Sequence, residues 1–160
     1  MFLMDVKSLK EVLRQFASEP FPPWEEHYLE YHGARYLDTL AVLGPGKGLR
    51  LLDVGAFPGH LSLLAHSQGF QVEGLTGRAE STGSLEMIID RLSRHKIPTL
   101  MADVENEAFP FPDVSFDVIL ASEIIEHLHF NPFHLLRDPK EPSVSTSPCA
   151  SGPRRCSTGK

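Results

Sequence analysis

The segment LLDVGAFPGHLS, residues 51 to 62, combines residue types that can bind a ligand at a strand-to-helix turn. Gly55 and Gly59 lie four apart, and glycine permits both a tight turn and the approach of a ligand to bare backbone. Backbone amides at the start of the following helix can bind a carboxylate or a phosphate. Asp53 is placed to meet a polar or cationic part of that ligand or to order the loop. A tight connection that binds nothing remains the alternative.

The glycine spacing argues against a dinucleotide site. Such a site uses the pattern G-x-G-x-x-G, in which the middle glycine lets the pyrophosphate pack on the helix start. Here Phe57 occupies that middle position, and its bulky side chain disfavours close approach. Phe57 therefore argues against a nicotinamide-dependent oxidoreductase, which stays open as a less favoured hypothesis.

Strand-like and helical segments alternate around this turn. Apolar residues at spacings of three and four predict helices, at residues 5–17, 25–43, 60–69 and 82–95. Short apolar runs predict strands, at residues 49–54, 70–75, 99–104 and 115–122. This alternation predicts an α/β protein with a doubly wound, Rossmann-like and mostly parallel sheet, preceded by N-terminal helices. Such sheets bind ligands beyond the carboxyl ends of their strands, which is where the glycine turn lies.

Composition and charge exclude several classes of protein. The 160 residues are 41% hydrophobic and 22% charged, and the formal net charge is -6. No apolar run approaches the roughly 18 to 20 residues of a membrane span. Asp5 and Lys7 come too early for a secretory signal. We expect a cytoplasmic protein without membrane contact, and the lack of a basic patch argues against a nucleic-acid partner.

The C-terminal segment, residues 139–160, differs from the rest of the chain. It contains four prolines, five serines and no aromatic residue, so it cannot bury enough apolar area to offset its ordering entropy. We expect a disordered tail there, a folded domain over 25–138, and a helix with a linker over 1–24. Both cysteines, Cys149 and Cys156, lie in the tail. Their position favours reduced thiols, and no metal site is expected.

Two stretches resemble the class I S-adenosylmethionine-dependent methyltransferases, in particular the type 11 methyltransferases. LLDVGAFPGHLSLLAHSQGFQVEGL is similar to motif I and the second strand of that superfamily. ADVENEAFPFPDVSFDVILASEIIEHL is similar to its third and fourth strands with their connecting loop. The resemblance covers roughly residues 25 to 138. It implies that S-adenosylmethionine is the cofactor, bound at the strand ends, and that a methyl group passes to an unidentified acceptor, expected to be a small molecule.

The resemblance also implies roles for residues at the strand ends. The loop around the methionine part of the cofactor would consist of Gly55, Ala56, Phe57 and Gly59, with Asp53 beneath it. The adenine amino group would donate to the carboxylate of Asp103, and the adenine ring would contact Val104. These seven residues are predicted to bind the cofactor, together with Thr76 and Ser122.

Further candidates lie at the mouth of the predicted site. Ser122 and Glu123 match positions that line the cofactor and the substrate entrance. His127 matches the histidine of the family's "EHL" sequence, where a structural hydrogen bond and a site role are both open. Glu123 and His127 are weak catalytic candidates. A lid often precedes the first strand in the superfamily, and Tyr28, Tyr31 and His32 lie there, unless that helix only packs on the sheet.

The chain departs from the family pattern at two points. Thr76 ends the second strand, where the family usually has an aspartate or glutamate that binds both ribose hydroxyls; threonine offers no charged bidentate acceptor. After residue 138 the family continues into further strands, whereas this chain enters its Pro/Ser tail. We therefore expect a truncated or altered form with strands one to four only. The fourth strand would be an open apolar edge that pairs with a second copy or another protein, and a non-catalytic interaction protein is the alternative function.

Overall fold

The computed structural model describes residues 5–17, 20–77, 83–104, 107, 109–122, 124 and 127. The predicted tail, the helix predicted after the fourth strand, and Glu123 lie outside these residues, so the expectations for them stay predictions. The helices are α1 (Val6–Gln15), α2 (Pro23–Leu43), α3 (His60–Ser67) and α4 (Gly83–Arg94). The strands are β1 (Arg50–Val54), β2 (Gln71–Thr76), β3 (Thr99–Met101) and β4 (Val118–Ala121).

The four strands form one parallel sheet in the order β3-β2-β1-β4. β1 pairs with β2 from Arg50 opposite Gln71 onward, and with β4 from Leu51 opposite Val118 onward. The strand order therefore reverses between β1 and β4, and a ligand site is expected at the carboxyl ends of these two strands. The predicted doubly wound sheet is confirmed for its four strands.

Local sequence signals explain where the first two helices begin. The side chain of Asp5 accepts a hydrogen bond from the amide of Ser8 at 2.8 Å, which caps α1. Pro23 is the first residue of α2, where a proline costs no intrahelical hydrogen bond. The sequence predicts a start at residue 25, two residues later, because prolines are typical helix breakers.

The sheet has an apolar cluster on each face, because successive strand residues point to opposite sides. Leu51 belongs to the larger cluster, which also contains Leu13 of α1, Leu29 of α2 and Leu63 of α3. Leu52 belongs to a smaller cluster on the other face. Asp53 is therefore on the same face as Leu51, the face covered by α1, α2 and α3.

Two strands are shorter than predicted. Pairing between β3 and β2 ends at Met101, because its partner Thr76 is the last residue of β2. The amide of Ala102 donates the last bond of this ladder to the carbonyl oxygen of Thr76. At the start of β4, the side chain of Asp117 accepts from the amide of Arg50 at 2.8 Å. Side-chain bonding there replaces a further pair of the strand ladder. None of the described helices has the length and apolar content needed to cross a membrane.

Candidate functional site

A cavity of about 550 Å³ opens at the carboxyl ends of β1, β2 and β4. Its wall consists of the glycine turn, the first turn of α3, one side of α2 and the residues that follow β2 and β4. The lining residues are Tyr28, Arg35, Tyr36, Asp53, Gly55, Ala56, Phe57, Pro58, Gly59, His60, Leu61, Thr76, Gly77, Ser122, Ile124 and His127. The cavity thus lies where the strand order predicts a ligand.

A second cavity of about 180 Å³ adjoins the first. The two share Thr76, Gly77 and Ile124. The smaller cavity is also lined by Asp103 and Val104, the two residues predicted to contact an adenine. The structure therefore brings predicted residues from all four strand ends into two compartments with one common wall.

The glycine turn needs its glycines at both ends. Gly55 and Gly59 have φ angles of +82° and +89°, in the left-handed region that side chains disfavour. A Cβ on Gly55 would lie 3.3 Å from the side chain of Ile124, and one on Gly59 would lie 3.1 Å from Ile88 of α4. The amides of Gly55 and Ala56 donate to the carbonyl oxygen of Leu75, which holds the turn against β2.

Asp53 lies beneath this turn, as predicted, and is only 3% exposed. Its Oδ2 accepts a hydrogen bond from Oγ of Ser62 at 2.6 Å. Burial raises the pKa of Asp53 to about 6, although the bond from Ser62 acts in the opposite direction. The Asp53 carboxylate has one described hydrogen-bond donor and lies beside a cavity. It can therefore accept a further hydrogen bond from a cationic group of a ligand.

Helix α2 forms one wall of the larger cavity and also packs on the sheet. The role of this helix as a lid stays a prediction. Tyr28, Arg35 and Tyr36 line the cavity, and the Arg35 guanidinium lies 5.5 Å from the Tyr36 ring centroid. Burial raises the pKa of Tyr36 above its usual value. Tyr31 is 80% exposed and does not line the cavity, and His32 contacts the Tyr28 ring at 4.1 Å. Of the three predicted lid residues, Tyr28 alone lines the cavity.

A buried charged cluster behind the turn was missed by the sequence analysis. Glu25 of α2 is fully buried, and its Oε1 lies 2.8 Å from Nε2 of His60, the first residue of α3. Arg91 of α4 donates to both oxygens of Glu25, to Oε2 at 3.1 Å. The signal was present in the spacing, because Glu25 lies four residues before the buried Leu29 on the same helix face. A charged residue on a buried face requires partners.

The pKa values in this cluster favour a carboxylate bound by a neutral imidazole. Burial alone would raise the pKa of Glu25, but the bonds from His60 and Arg91 hold it below its usual value. Burial lowers the pKa of His60, despite the opposing effect of Glu25. The proton of the neutral ring is therefore on Nε2, which donates to Glu25.

The remaining predicted residues occupy the expected strand ends. Thr76 is 7% exposed at the end of β2, between the two cavities. Ser122 lines the larger cavity after β4, as does His127, which is exposed. The amide of His127 donates to the carbonyl oxygen of Ile124 at 3.0 Å, so a structural and a site role both remain open. Across the described ranges, no three His, Cys, Asp or Glu residues form a group that could hold a metal ion.

Solved structures with the same fold include the YcgJ protein of Bacillus subtilis, with 24% identity and a TM-score of 0.50. They also include a Methanococcus maripaludis protein assigned to the S-adenosylmethionine-dependent methyltransferases, with 17% identity and a TM-score of 0.53. The matched region covers 61% of this chain and 41% of the first protein, and 82% of this chain and 56% of the second. At these identities the likeness shows the fold, and this chain spans about half the length of either protein.

A search of curated proteins gave no match. A family model for a methyltransferase domain matches residues 26–140, which is well over half of the chain. The match includes the glycine turn, Thr76, Asp103 and the residues after β4. With its parallel sheet in the order β3-β2-β1-β4 and a cavity at the strand ends, this chain belongs to the methyltransferase domain family.

Proposed function

We propose that this chain binds S-adenosylmethionine across its two adjoining cavities and transfers the methyl group to an acceptor. The observation that carries the proposal is the meeting of these cavities at Thr76, with the glycine turn on one side and Asp103 on the other. The cofactor consists of an amino acid, a ribose and an adenine in series. Two compartments with a shared wall suit a ligand of that form.

The charges in the larger cavity suit the amino-acid end of the cofactor. Asp53 would accept from the ammonium group, and its burial makes that interaction stronger than it would be in water. Among the described lining residues Arg35 is the cation, and it would bind the carboxylate. The turn from Gly55 to Gly59 would lie along the methionine chain, where the absence of side chains allows close contact.

The smaller cavity suits the adenine end. Asp103 would accept from the adenine amino group, and the apolar side chains of Val104 and Leu75 would contact the ring. Thr76 would offer the ribose a single neutral hydrogen-bonding group, in place of the charged acceptor typical of the family. The proposal therefore includes a weakened ribose contact.

The bound cofactor supplies an electrophilic methyl group on sulfonium, which leaves the chain mainly with the task of positioning the acceptor. A general base is needed only for an acceptor that keeps its proton at neutral pH. His127 lies at the cavity wall and is a candidate to receive that proton, directly or through water, while Ser122 lies at the same wall and offers a hydroxyl that can orient the acceptor. Glu123 is a further candidate that lies outside the described residues.

A small molecule remains the proposed class of acceptor. The cytoplasm remains the proposed location of the protein. The aromatic side chains of Tyr28, Tyr36 and Phe57 line the larger cavity, which supports an enclosed acceptor more than an extended one. The net charge of -6 supports neither a nucleic acid nor an anionic membrane surface as the partner.

Calorimetric titration with S-adenosylmethionine and S-adenosylhomocysteine tests the proposal, with NAD as the control ligand. Gly55→Arg should abolish binding, because the side chain would enter the cavity from a residue already close to Ile124. Gly48→Arg is the matched control: Gly48 has the same φ of +82° but lies outside the cavity. We expect roughly micromolar binding by the wild type and by Gly48→Arg. A folded wild type that binds NAD, or no ligand, would overturn the proposal.

A non-catalytic interaction protein is the second candidate function. The side chain of Ile119, in the edge strand β4, is 62% exposed, which is unusual for an isoleucine in a parallel strand. Thr76 also supports this alternative, because it weakens the cofactor site. The partner would be a second copy of the chain or another protein that pairs with the edge of β4 that no described strand occupies.

A further inference from the structure

Glu25, His60 and Arg91 form a cluster that joins three helices at the back of the larger cavity. Glu25 lies in the first turn of α2, His60 is the first residue of α3, and Arg91 belongs to α4. The side chains of Glu25 and His60 are fully buried, and that of Arg91 is 11% exposed. The cluster lies on the side of the sheet that carries the larger apolar core.

The cluster holds two walls of the cavity at a fixed separation. His60 directly follows Gly59, so its position sets the end of the glycine turn. Glu25 begins the helix whose later residues Tyr28 and Arg35 form the opposite wall. One carboxylate of α2 therefore contacts both the residue that follows the turn and α4.

The orientation of His60 depends on that carboxylate. Within the described part of the chain, Nδ1 of His60 has no hydrogen-bond partner, so Nε2 makes its polar contact, to Glu25. Aromatic rings surround the imidazole, those of Phe21, Tyr28 and Tyr36, at 5.9 to 6.0 Å between centroids. These contacts fill space around the ring, but they do not select its orientation as a hydrogen bond does.

A second contact between α2 and the turn lies next to the cluster. Trp24 stacks on Phe57 with 6.1 Å between ring centroids and an interplanar angle of 8°. The two side chains are 38% and 44% exposed, respectively. Trp24 is the single tryptophan of the chain, so its fluorescence reports directly on whether α2 lies against the turn.

We propose that Glu25 is a positioning residue whose carboxylate holds α2 against the glycine turn and thereby keeps the cofactor cavity in its binding form. The part of this proposal that concerns the cofactor rests on the proposed function. Buried ion pairs often add little stability, because desolvation offsets their attraction. We therefore assign to the cluster the role of keeping α2 and the glycine turn at the right distance from each other. Loss of the cluster should lower the fraction of molecules that can bind the cofactor. The apparent dissociation constant rises in inverse proportion to that fraction.

Glu25→Gln and Glu26→Gln form a matched pair for the test. Both remove one charge from the first turn of α2, but the side chain of Glu26 is 32% exposed and pairs with Lys10 and Arg14 of α1 instead of with α3 and α4. In the ligand-free protein we expect Glu25→Gln to increase acrylamide quenching of Trp24. The dissociation constant for S-adenosylhomocysteine should rise about tenfold, as for a binding-competent fraction near one tenth. Glu26→Gln should change neither quantity.

Arg91→Lys provides a second variant in case Glu25→Gln fails to fold. Lysine keeps the charge but loses the paired donors of the guanidinium, so intermediate quenching and affinity are expected. Folded variants with wild-type quenching and affinity would overturn the proposal, and so would loss of folding in both variants, which would make the cluster a requirement of the fold. If the wild type itself does not bind, the proposed function fails, and the quenching of Trp24 still decides whether Glu25 holds α2 on the turn.

Discussion

Thr76 is the residue at which the site departs most from its family. It ends β2 between the two cavities, where a carboxylate would make charge-assisted bonds to both ribose hydroxyls. Losing such a bond costs about 1.5 to 3 kcal/mol. We therefore predict that Thr76→Asp tightens binding of S-adenosylhomocysteine by roughly ten- to a hundredfold in a calorimetric titration.

Thr76→Asn is the control for this prediction, because asparagine has the same size as aspartate but carries no charge. It should change the dissociation constant by much less than Thr76→Asp does. Equal affinities for the two variants and the wild type would show that the ribose does not lie at the end of β2.

Asp53 gives a prediction for the dependence of stability on pH. Burial raises its pKa from 3.8 to about 6, so between these values the folded state holds a proton that the unfolded state lacks. Its contribution to the free energy of unfolding is therefore largest at low pH and declines as pH rises through about 6. At about 1.4 kcal/mol per pKa unit, the decline amounts to ~3 kcal/mol.

Asp53→Asn should consequently be more stable than the wild type at pH 7.5, by up to ~3 kcal/mol in urea unfolding. The difference should shrink towards pH 4, where both side chains are neutral in the folded state. Comparing the two proteins at each pH cancels the contribution of His60, whose lowered pKa acts in the opposite direction. The same variant should lose most of its cofactor affinity. A variant that is less stable than the wild type at pH 7.5 would contradict this account of the buried carboxyl.

At the scale of elements, β4 is the edge strand with the most exposed apolar side chain on the sheet. Ile119 is 62% exposed, and β4 pairs with β1 alone among the described strands. Free strand edges of this kind recruit further strands. We predict that the purified chain self-associates at micromolar concentration and that Ile119→Lys shifts it to the monomer, as measured by light scattering coupled to gel filtration.

Val42→Lys is the control for the edge prediction. Val42 is 88% exposed on α2 and receives the same change of charge away from the sheet. A wild type that is monomeric at every accessible concentration would contradict self-association, and an equal effect of both variants would assign it to net charge.

The elements themselves could be predicted because their signals are local. Apolar periodicity indicated every described helix and strand, and the glycines marked the turn at Gly55 and Gly59. The end of β3 and the start of β4 could not be predicted, because they depend on residues distant in sequence. β3 ends opposite Thr76, the last residue of β2, and the amide of Arg50 donates to the side chain of Asp117. The Glu25 cluster was missed for the same reason, since its partners lie 35 and 66 residues further along the chain.

At the scale of the whole molecule, the sheet order brings separate stretches of sequence to one edge. The glycine turn follows β1, Thr76 ends β2, and Asp103 follows β3. The resemblance to the family assigned these residues to one cofactor, and the fold supports the assignment by placing them around two cavities with a common wall. We therefore claim that both cavities bind the same cofactor molecule.

Amide hydrogen exchange with and without S-adenosylhomocysteine tests that claim most directly. We expect slower exchange in two stretches distant in sequence, residues 55–61 and residues 102–104, because a single ligand would rigidify both walls. Residues 47–49, at the opposite end of β1, should exchange at the same rate in both states. Protection of one stretch without the other, or equal protection of residues 47–49, would contradict a single cofactor bound across both cavities.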